Sequence, residues 1–271
     1  TNDMHSRIDP FGPNDKKYAN QGGMSRVATL IEQIRNEESN VILLDAGDIF
    51  QGTPYFNLFG GEVELKLMSQ MKYDASTMGN HDFDNGIDGF NNVLHNANFP
   101  FLCANYDFNE TILKGKTKPY HIVEKQGIKI GIFGIGIELD GLVDSRLYGN
   151  TIYNDPIATA NKYAKLLKDK HACNAVICLS HLGYEYESET LSDKILAKET
   201  ENIDLIIGGH THTFLDKAVT FSNKVGKPTL VNQAGWAALG LGRVDFYFNR
   251  EKKRIDDLNA SFKPSKNYAK I

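Results

Sequence analysis

The sequence predicts an α/β fold, built as one mixed-sheet, layered domain over residues 1–271. Short apolar runs alternate with amphipathic helical patterns through the first two thirds of the chain, and strand-rich hairpins fill the last third. This alternation is typical of α/β sheets. A chain of 271 residues can bury a large core without disulfides. Its 41% hydrophobic and 24% charged residues are ordinary for a globular protein.

Five helices are predicted from apolar residues that recur at helical spacing. The first covers residues 23–38, where Val27, Leu30, Ile31 and Ile34 share one face. The others cover residues 62–71, 86–96, 156–171 and 188–200. Pro156 stands near the first turn of the fourth helix, where its missing N–H is least costly.

Strands are predicted where short apolar runs are bounded by glycine or polar residues. In the first half of the chain they cover residues 41–44, 74–78, 99–104, 120–125 and 129–135, and the last two form an antiparallel pair split by Gly127. In the second half they cover residues 175–179, 204–207, 218–221, 229–232, 242–248 and 254–262. The basic cluster Arg250, Lys252, Lys253 and Arg254 is interpreted as a solvated hairpin turn.

Composition excludes several classes of protein. The formal net charge of −4 gives no basic field for nucleic acid or an anionic membrane. No apolar run approaches the roughly 18 residues of a membrane span. The three cysteines, Cys103, Cys173 and Cys178, adjoin apolar runs and are interpreted as core residues. The sequence starts at Thr1 without a signal peptide, so a leader could have been removed. The low cysteine content fits a reducing cytosol and a bacterial periplasm equally well, and composition does not decide between them.

Metal-ligating side chains collect at a few places along the chain. Asp48, Asn80, His181, His210 and His212 all stand just beyond a predicted buried strand, and Asp3 and His5 stand near the first residue. Ligands of α/β sheets gather at the carboxyl ends of the strands. We therefore expect these distant positions to meet in one pocket.

The ligand types form a coherent set. Imidazole and carboxylate suit zinc, iron and manganese, and the absence of thiolate argues against a structural zinc site. A lone histidine at a strand end is more often a surface residue, but five of the eight histidines fall in these groups. The other three, His95, His121 and His171, are interpreted as structural or solvated. Seven ligands with one bridging carboxylate would form two adjacent metal sites, an arrangement suited to in-line attack on phosphorus.

These groups, in this order, resemble the calcineurin-like metallophosphoesterase superfamily, and specifically its 5′-nucleotidase family. The resemblance rests on four segments: Thr1-Asn-Asp-Met-His5, Gly47-Asp-Ile-Phe-Gln-Gly-Thr-Pro54, Gly79-Asn-His-Asp-Phe-Asp84 and Gly208-Gly-His-Thr-His212. It runs from residue 1 to about 248. It implies a four-layer α/β/β/α sandwich with two mixed sheets and a dinuclear centre between them.

The resemblance also implies roles for individual residues. One ion would be held by Asp3, His5, Asp48 and His212, and the other by Asp48, Asn80, His181 and His210. Histidine stands at 212, where the family often has glutamine. His81 and Asp84 match the family's catalytic dyad, although Asp84 could instead cap the helix at 86–96. Asp82 matches a variable position and receives no role.

The implied activity is hydrolysis of phosphomonoesters, with nucleotides or cyclic phosphodiesters among the candidates, by in-line attack of a metal-bound hydroxide. The cofactors would be two divalent ions, zinc, manganese or iron. Two departures from the family stand out. The buried strand that precedes the Asp-x-His motif in the family is missing before Thr1, and we expect upstream residues to be omitted. The large C-terminal domain that grips the base is absent after Ile271.

The chain in this respect is similar to stand-alone catalytic domains of some bacteria, which are typically exported to the periplasm and serve nucleotide catabolism. Base recognition would then come from a partner chain, from local loops, or be absent. Candidates for local contact are Asn105 after a strand end and five aromatic residues, Tyr55, Phe56, Tyr184, Tyr186 and Trp236. An aromatic ring beside a metal loop could stack on a base, but packing of a loop against the core is the more common role of such a residue. Two further possibilities are the catalytic half of a split nucleotidase and a non-catalytic metal-binding module.

Overall fold

The computed structural model describes residues 1–249, 251–252 and 254–265. Two members of the basic cluster, Arg250 and Lys253, lie outside these residues. The helices are α1 (Met24–Glu37), α2 (Pro54–Phe59), α3 (Glu62–Gln70), α4 (Gly86–Val93), α5 (Ser145–Tyr148), α6 (Pro156–Lys165) and α7 (Asp193–Glu199). Short 3-10 turns cover Asn80–Phe83 and Leu94–Asn96, and a π-turn, Leu166–Lys170, continues α6.

Twelve strands are present in the described part of the chain. They are β1 (Leu44–Asp45), β2 (Ala75–Ser76), β3 (Tyr106–Asp107), β4 (Tyr120–Lys125), β5 (Ile128–Ile135), β6 (Ile152–Tyr153), β7 (Ala175–Ser180), β8 (Leu205–Gly208), β9 (Val219–Ser222), β10 (Pro228–Gln233), β11 (Gly240–Asn249) and β12 (Arg254–Pro264).

The largest sheet has six strands in the order β4-β5-β7-β8-β10-β9. The central strands β5, β7, β8 and β10 run parallel, whereas β4 and β9 pair antiparallel at the edges. The predicted antiparallel pair on either side of Gly127 is confirmed as β4 and β5, with Tyr120 opposite Phe133. Three smaller pairs accompany this sheet: parallel β1-β2, antiparallel β3-β6 and the antiparallel hairpin β11-β12.

Alternate residues of the six-stranded sheet face two different cores. Ile130, Ile177 and Leu205 face Leu44 and Ala75 of the β1-β2 pair. Because strand side chains alternate between faces, the intervening residues point to the opposite side. That side is covered by α6 and α7, which supply residues such as Ala160, Ala164, Leu196 and Ala197.

A third core lies outside the β1-β2 pair, where α1, α3 and α4 bury Leu30, Leu65 and Phe90. The layers are therefore helices, a small sheet, the six-stranded sheet and helices again. The predicted four-layer α/β/β/α class is confirmed. All three cysteines are buried and free, as predicted for core residues.

Some element boundaries differ from the sequence prediction. The run at 99–104 forms only isolated bridges, from Phe101 to Ser76 and from Leu102 to Lys118, rather than a strand. Helix α7 begins at Asp193 and not near residue 188, because the Asp193 N–H donates to the Gly183 carbonyl of the preceding loop. Helices α2 and α5 were not predicted, since neither buries a residue that would give an apolar period.

The first residues run beside β1. The amino group of Thr1 donates to the Leu44 carbonyl at 2.8 Å, and the Ala46 N–H donates to the Thr1 carbonyl at 3.0 Å. A groove of 760 Å³ lined by residues of β1, β7, β8 and β11 opens next to this pairing. The expectation of an upstream strand stays a prediction. None of the helices in the described ranges is both long and apolar enough to cross a bilayer.

Candidate metal centre

The expected ligand residues meet at one edge of the fold. Asp48 follows β1, Asn80 follows β2, His181 follows β7 directly, and the loop after β8 supplies two histidines, His210 and His212. The first segment joins them because the Asp3 N–H donates to the Gly47 carbonyl at 2.9 Å. The carboxyl ends of four strands and one segment beside β1 therefore build a single site, as expected for α/β sheets.

The side chains form two adjacent groups, each able to hold one ion. Asp3, His5 and His212 make one group, and Asp48, His181 and His210 make the other; the ligand atoms in each group lie within 4.8 Å of one another. Asp48 also approaches the first group, with its Oδ2 3.9 Å from His5 Nε2. This position suits a carboxylate shared between two ions.

The spacing within the groups fits metal coordination. Two atoms bound to one ion at about 2.1 Å lie roughly 3 Å apart. The Nε2 atoms of His5 and His212 are 3.0 Å apart, and Asn80 Oδ1 lies 2.8 Å from His210 Nδ1. His181 Nε2 is 3.1 Å from Asp48 Oδ2. The donor set, imidazole with carboxylate and amide oxygen, suits the borderline divalent ions.

Backbone carbonyls fix two of the imidazoles in the orientation that a ligand needs. His181 Nδ1 lies 2.7 Å from the Ala46 carbonyl, and His5 Nδ1 lies 3.3 Å from the Phe50 carbonyl. Since a carbonyl only accepts, Nδ1 carries the proton, and the lone pair of each neutral ring is on Nε2. His181 Nε2 has no hydrogen-bond partner among the described residues and faces Asp48. A cation between these atoms satisfies both.

The charges in the pocket support the same conclusion. Burial lowers the pKa of His5 to about 4 and the pKa of His210 to about 4, which keeps both rings in the neutral form that binds metals. Burial also lowers the pKa of His181, but the nearby Asp48 and Asp3 outweigh it and raise the pKa to about 10. Positive charge beside His181 is therefore favoured, whether a proton or a metal ion provides it.

Much of the site is held in an uncommon backbone conformation. Positive φ angles occur at Asp3 (48°), His5 (47°), Asp48 (55°), His210 (75°) and His212 (54°). Non-glycine residues adopt such angles rarely and at a cost of about 1–3 kcal/mol each. Five of the seven expected ligands share this conformation, so the surrounding hydrogen bonds must hold the loops in place.

Gly79 has no side chain, and this allows the loop after β2 to pass close to Asp48 and His181. A Cβ at this position would lie 2.2 Å from Asp48 Oδ1 and 2.5 Å from His181 Nε2. Any side chain at residue 79 would therefore occupy the volume between two expected ligands.

His81 and Asp84 form a pair at the rim of the site. His81 Nδ1 lies 2.8 Å from Asp84 Oδ2, and 36% of the His81 side chain is exposed. The hydrogen bond to Asp84 raises the pKa of His81 above its ordinary value, against the effect of burial. The backbone N–H of His81 also donates a hydrogen bond to Asp48 Oδ1 at 2.8 Å. The N-cap of α4 is Asn85, so Asp84 does not cap that helix.

Asp82 was given no role from the sequence, yet it ties the site together. Its Oδ2 accepts from the N–H groups of Asp48 at 3.0 Å and Gly79 at 2.8 Å. Its Oδ1 accepts from Ile49 at 3.0 Å and Phe50 at 3.3 Å. One buried carboxylate thus clamps the loop after β1 to the loop after β2. Three of these partners lie 32 to 34 positions away in the chain, so local spacing gave no signal.

Asn105, the expected substrate contact, is held inside the fold by backbone hydrogen bonds. Its side chain is fully buried, its Nδ2 donates to the Gly136 carbonyl, and its Oδ1 accepts from the Gly136 N–H, both at 2.8 Å. Both polar ends of the amide are therefore used by one backbone residue. Asn105 joins the segment before β3 to the end of β5.

Four of the five aromatic candidates contact other parts of the protein and not an expected ligand. Tyr55 donates to Asp9, Phe56 stacks on Phe50, Tyr186 donates to the Leu182 carbonyl and Tyr184 packs beside the core under α7. Trp236 differs from them because its ring lies parallel to the His212 ring, with centroids 5.2 Å apart. It is the aromatic candidate in contact with an expected ligand.

Comparison with known proteins agrees with this geometry. The family model for calcineurin-like phosphoesterases matches residues 1–214. The trifunctional nucleotide phosphoesterase YfkN of Bacillus subtilis (strain 168) is 34% identical over 283 residues, which cover 93% of this chain and 18% of that protein. The 5′-nucleotidase of Rattus norvegicus is 35% identical over 223 residues, covering 79% of this chain and 37% of that one. The chain thus spans less than two fifths of the length of these two relatives.

Solved structures show the same similarity. A 5′-nucleotidase precursor from Thermus thermophilus superposes with a TM-score of 0.87 at 30% identity, over 97% of this chain and 53% of that chain. The calcineurin-like phosphoesterase YfkN from Bacillus subtilis gives a TM-score of 0.82 at 25% identity, over 98% of this chain and 90% of that chain. On the family match, the sequence relatives and the shared fold, the chain belongs to the calcineurin-like phosphoesterase family.

Proposed function

We propose that residues 1–271 form the catalytic domain of a divalent-metal-dependent phosphohydrolase of the 5′-nucleotidase type. The substrates are phosphomonoesters, nucleotides among them, with cyclic phosphodiesters as a secondary class. The observation that carries this proposal is the pair of adjacent three-residue ligand groups with Asp48 between them. Family resemblance further favours a location outside the cytoplasm.

The geometry supports the ligand assignment within the proposal. Asp3, His5 and His212 would hold one ion, His181, His210 and Asn80 would hold the other, and Asp48 would contribute to both. Zinc, manganese and iron all suit this set. Such a pair of ions, when bound, neutralises phosphoryl oxygens and supplies an activated water.

His81 is the residue proposed to move a proton. Its Nδ1 is held by Asp84, which leaves Nε2 as the atom free to face a substrate at the rim. The bond to Asp84 favours the protonated ring, so His81 can donate a proton to the leaving oxygen as the ester bond breaks. Asp84 orients the ring and stabilises its charged form.

The first experiment measures turnover of an aryl phosphate and of AMP with added Mn²⁺, with and without a chelator. We expect chelator-sensitive hydrolysis of both esters. Turnover of the aryl ester alone would favour a split enzyme that needs a separate chain for base recognition, in keeping with the fraction of its relatives that this chain covers. Complete inactivity with every ester and ion would contradict the proposal and favour a metal-binding module.

The role of His81 has a separate test. His81→Ala should lower kcat for an ester with a poor leaving group by about 10²–10⁴-fold while metal content stays constant. An ester with a good leaving group needs little proton donation and should lose less. Full activity of the variant on the poor leaving group would exclude the proposed role.

A further inference from the structure

Three aromatic rings form a cluster beside the metal centre. Trp236 contacts Phe11 with ring centroids 5.9 Å apart and Tyr18 with centroids 6.2 Å apart, and Phe11 and Tyr18 contact each other at 5.5 Å. Each of the three side chains is partly exposed rather than buried. We call Phe11, Tyr18 and Trp236 the aromatic cluster.

The cluster is fixed to the loop that carries Asp3. The carbonyl of Gly235 accepts from Asn2 Nδ2 at 2.6 Å, and the N–H of Ala237 donates to the Asp3 carbonyl at 2.7 Å. These bonds hold the backbone on both sides of Trp236. The indole is therefore placed by the same residues that place an expected metal ligand.

Phe11 and Tyr18 are presented by an organised loop. The Phe11 N–H donates to the Gln21 carbonyl at 2.8 Å and the Asn20 N–H donates to the Phe11 carbonyl at 3.0 Å, which closes the loop at its base. Asp15 Oδ1 accepts from the N–H of Tyr18 at 2.6 Å and so holds the turn that positions this ring. The Arg7 guanidinium lies 4.1 Å from the centre of the Phe11 ring and packs on it.

The cluster and His81 both adjoin His5. The His5 ring is 5.2 Å from His81 and 6.3 Å from Trp236, centroid to centroid. A substrate whose leaving oxygen faces His81 can therefore extend its leaving group past His5 toward the aromatic rings. A planar base would contact the rings there, and such stacking is sequence-tolerant because every base has a π-face.

We propose that the aromatic cluster binds the nucleobase of a nucleotide substrate. This inference rests on the proposed phosphohydrolase function and names the substrate class of the same site. It assigns base recognition to the catalytic domain itself. Trp236 and Tyr18 become specificity-determining residues that contact the leaving group and leave the phosphoryl group to the metal centre.

Binding can be observed without turnover because Trp236 is the only tryptophan in the chain. Adenosine should change the Trp236 emission in a saturable way in the zinc-loaded protein, whereas ribose should not. No response to adenosine would overturn the proposal. This measurement stays decisive even if no ester is hydrolysed, an outcome that would instead contradict the phosphohydrolase function.

Kinetics provide the second test, with AMP and ribose 5-phosphate as esters that differ only in the base. Trp236→Leu and Tyr18→Leu should each raise KM for AMP about tenfold and change KM for ribose 5-phosphate less than about twofold. Tyr247→Leu, an exposed aromatic in β11, is the matched control and should change neither. Trp236→Leu could also disturb the stacked His212 and cause loss of metal. In that case the KM values of Tyr18→Leu decide whether the cluster binds the base. An equal rise for both esters, or no rise for AMP, would overturn the proposal.

Discussion

Two loops that follow neighbouring parallel strands hold their histidines in opposite ways. After β7, His181 is fully buried, and its Nδ1 lies 2.7 Å from the Ala46 carbonyl. After β8, His212 keeps 38% of its side chain exposed and stacks on Trp236. Of these two histidines at the same sheet edge, His181 is therefore buried and fixed by a hydrogen bond, whereas His212 is partly exposed to solvent.

This difference indicates how firmly each half of the site holds its ion. His181 has one tautomer and one orientation, and it faces the buried carboxylate of Asp48. Removing it takes the nearest imidazole from that charge and leaves the hydrogen bond from the backbone N–H of His81, a loss that costs several kcal/mol in a buried site. The His212 ring also adjoins a buried carboxylate, with its Nε2 3.5 Å from Asp3 Oδ1, but 38% of the His212 side chain is exposed, so water can reach the vacated position. We expect the ion beside His181 to be the more tightly bound.

The largest effect is expected from His181→Ala. The variant should lose its ion and with it several kcal/mol of transition-state stabilisation, equivalent to at least about 10³-fold in kcat. Metal content per chain and turnover of an aryl phosphate measure both parts. His95→Ala, an exposed histidine on the turn after α4, is the control and should keep ions and activity. Retention of both ions by His181→Ala would contradict the expectation that His181 is needed to hold the more tightly bound ion.

A smaller effect is expected from Asp82→Asn, which acts through the loop that carries Asp48. The amide keeps one acceptor oxygen and places an NH₂ group against backbone N–H donors. Metal affinity should fall about 10–100-fold, as is usual when a partner behind a ligand is lost. Metal titration measures this change, with Asp88→Asn on the exposed face of α4 as control. Unchanged affinity would mean that the loops hold their shape without this carboxylate.

His212→Gln should have a still smaller effect on metal affinity and directly tests the ligand group that contains the partly exposed His212. Glutamine keeps a neutral ligand atom at the position and is the residue that the family often has there. We expect metal affinity to fall by about tenfold, near the lower end of such effects. Isothermal titration with Zn²⁺ gives the two binding constants. A loss as large as that of His181→Ala would show that the two loops contribute equally.

The sequence identified the residues that converge at the site but not the contacts that hold them in place. Asp48, Asn80 and His181 could be found because each follows an apolar strand, and strand ends converge by topology. Asp82 could not, because its partners come from a loop more than thirty positions away. The aromatic cluster joins residues 11, 18 and 236, and no local period connects them.

The same reasoning explains the element boundaries. Helix α1 was predicted within one residue because its apolar face has a clear helical period. The start of α7 was wrong because a hydrogen bond to Gly183, a contact absent from any local pattern, decides it. The contacts of Asn105 were missed for a similar reason. Its position after a strand end suited a ligand contact, but the Gly136 backbone takes both ends of its amide.

The smallest predicted effect concerns stability beneath the β8 loop. Asp193 at the start of α7 is fully buried and lies close against Gly208, at the end of β8. Burial raises its pKa from 3.8 to about 8, although Ser180 and His181 oppose the shift. A raised pKa in the folded protein means that Asp193 favours folding fully below about pH 4. That contribution is lost as the pH rises towards 8, because the unfolded chain ionises first.

Asp193→Asn removes this titration and should therefore flatten the decrease in stability between pH 4 and pH 8. At pH 8 the variant should be more stable than the parent, since the parent then carries the cost of a buried charge that the amide does not have. Chemical denaturation at several pH values measures the difference, and Asp140→Asn at an exposed position is the control. Parallel pH profiles for parent and variant would show that Asp193 ionises without cost, and the β8 side of the site would then be less constrained than its burial implies.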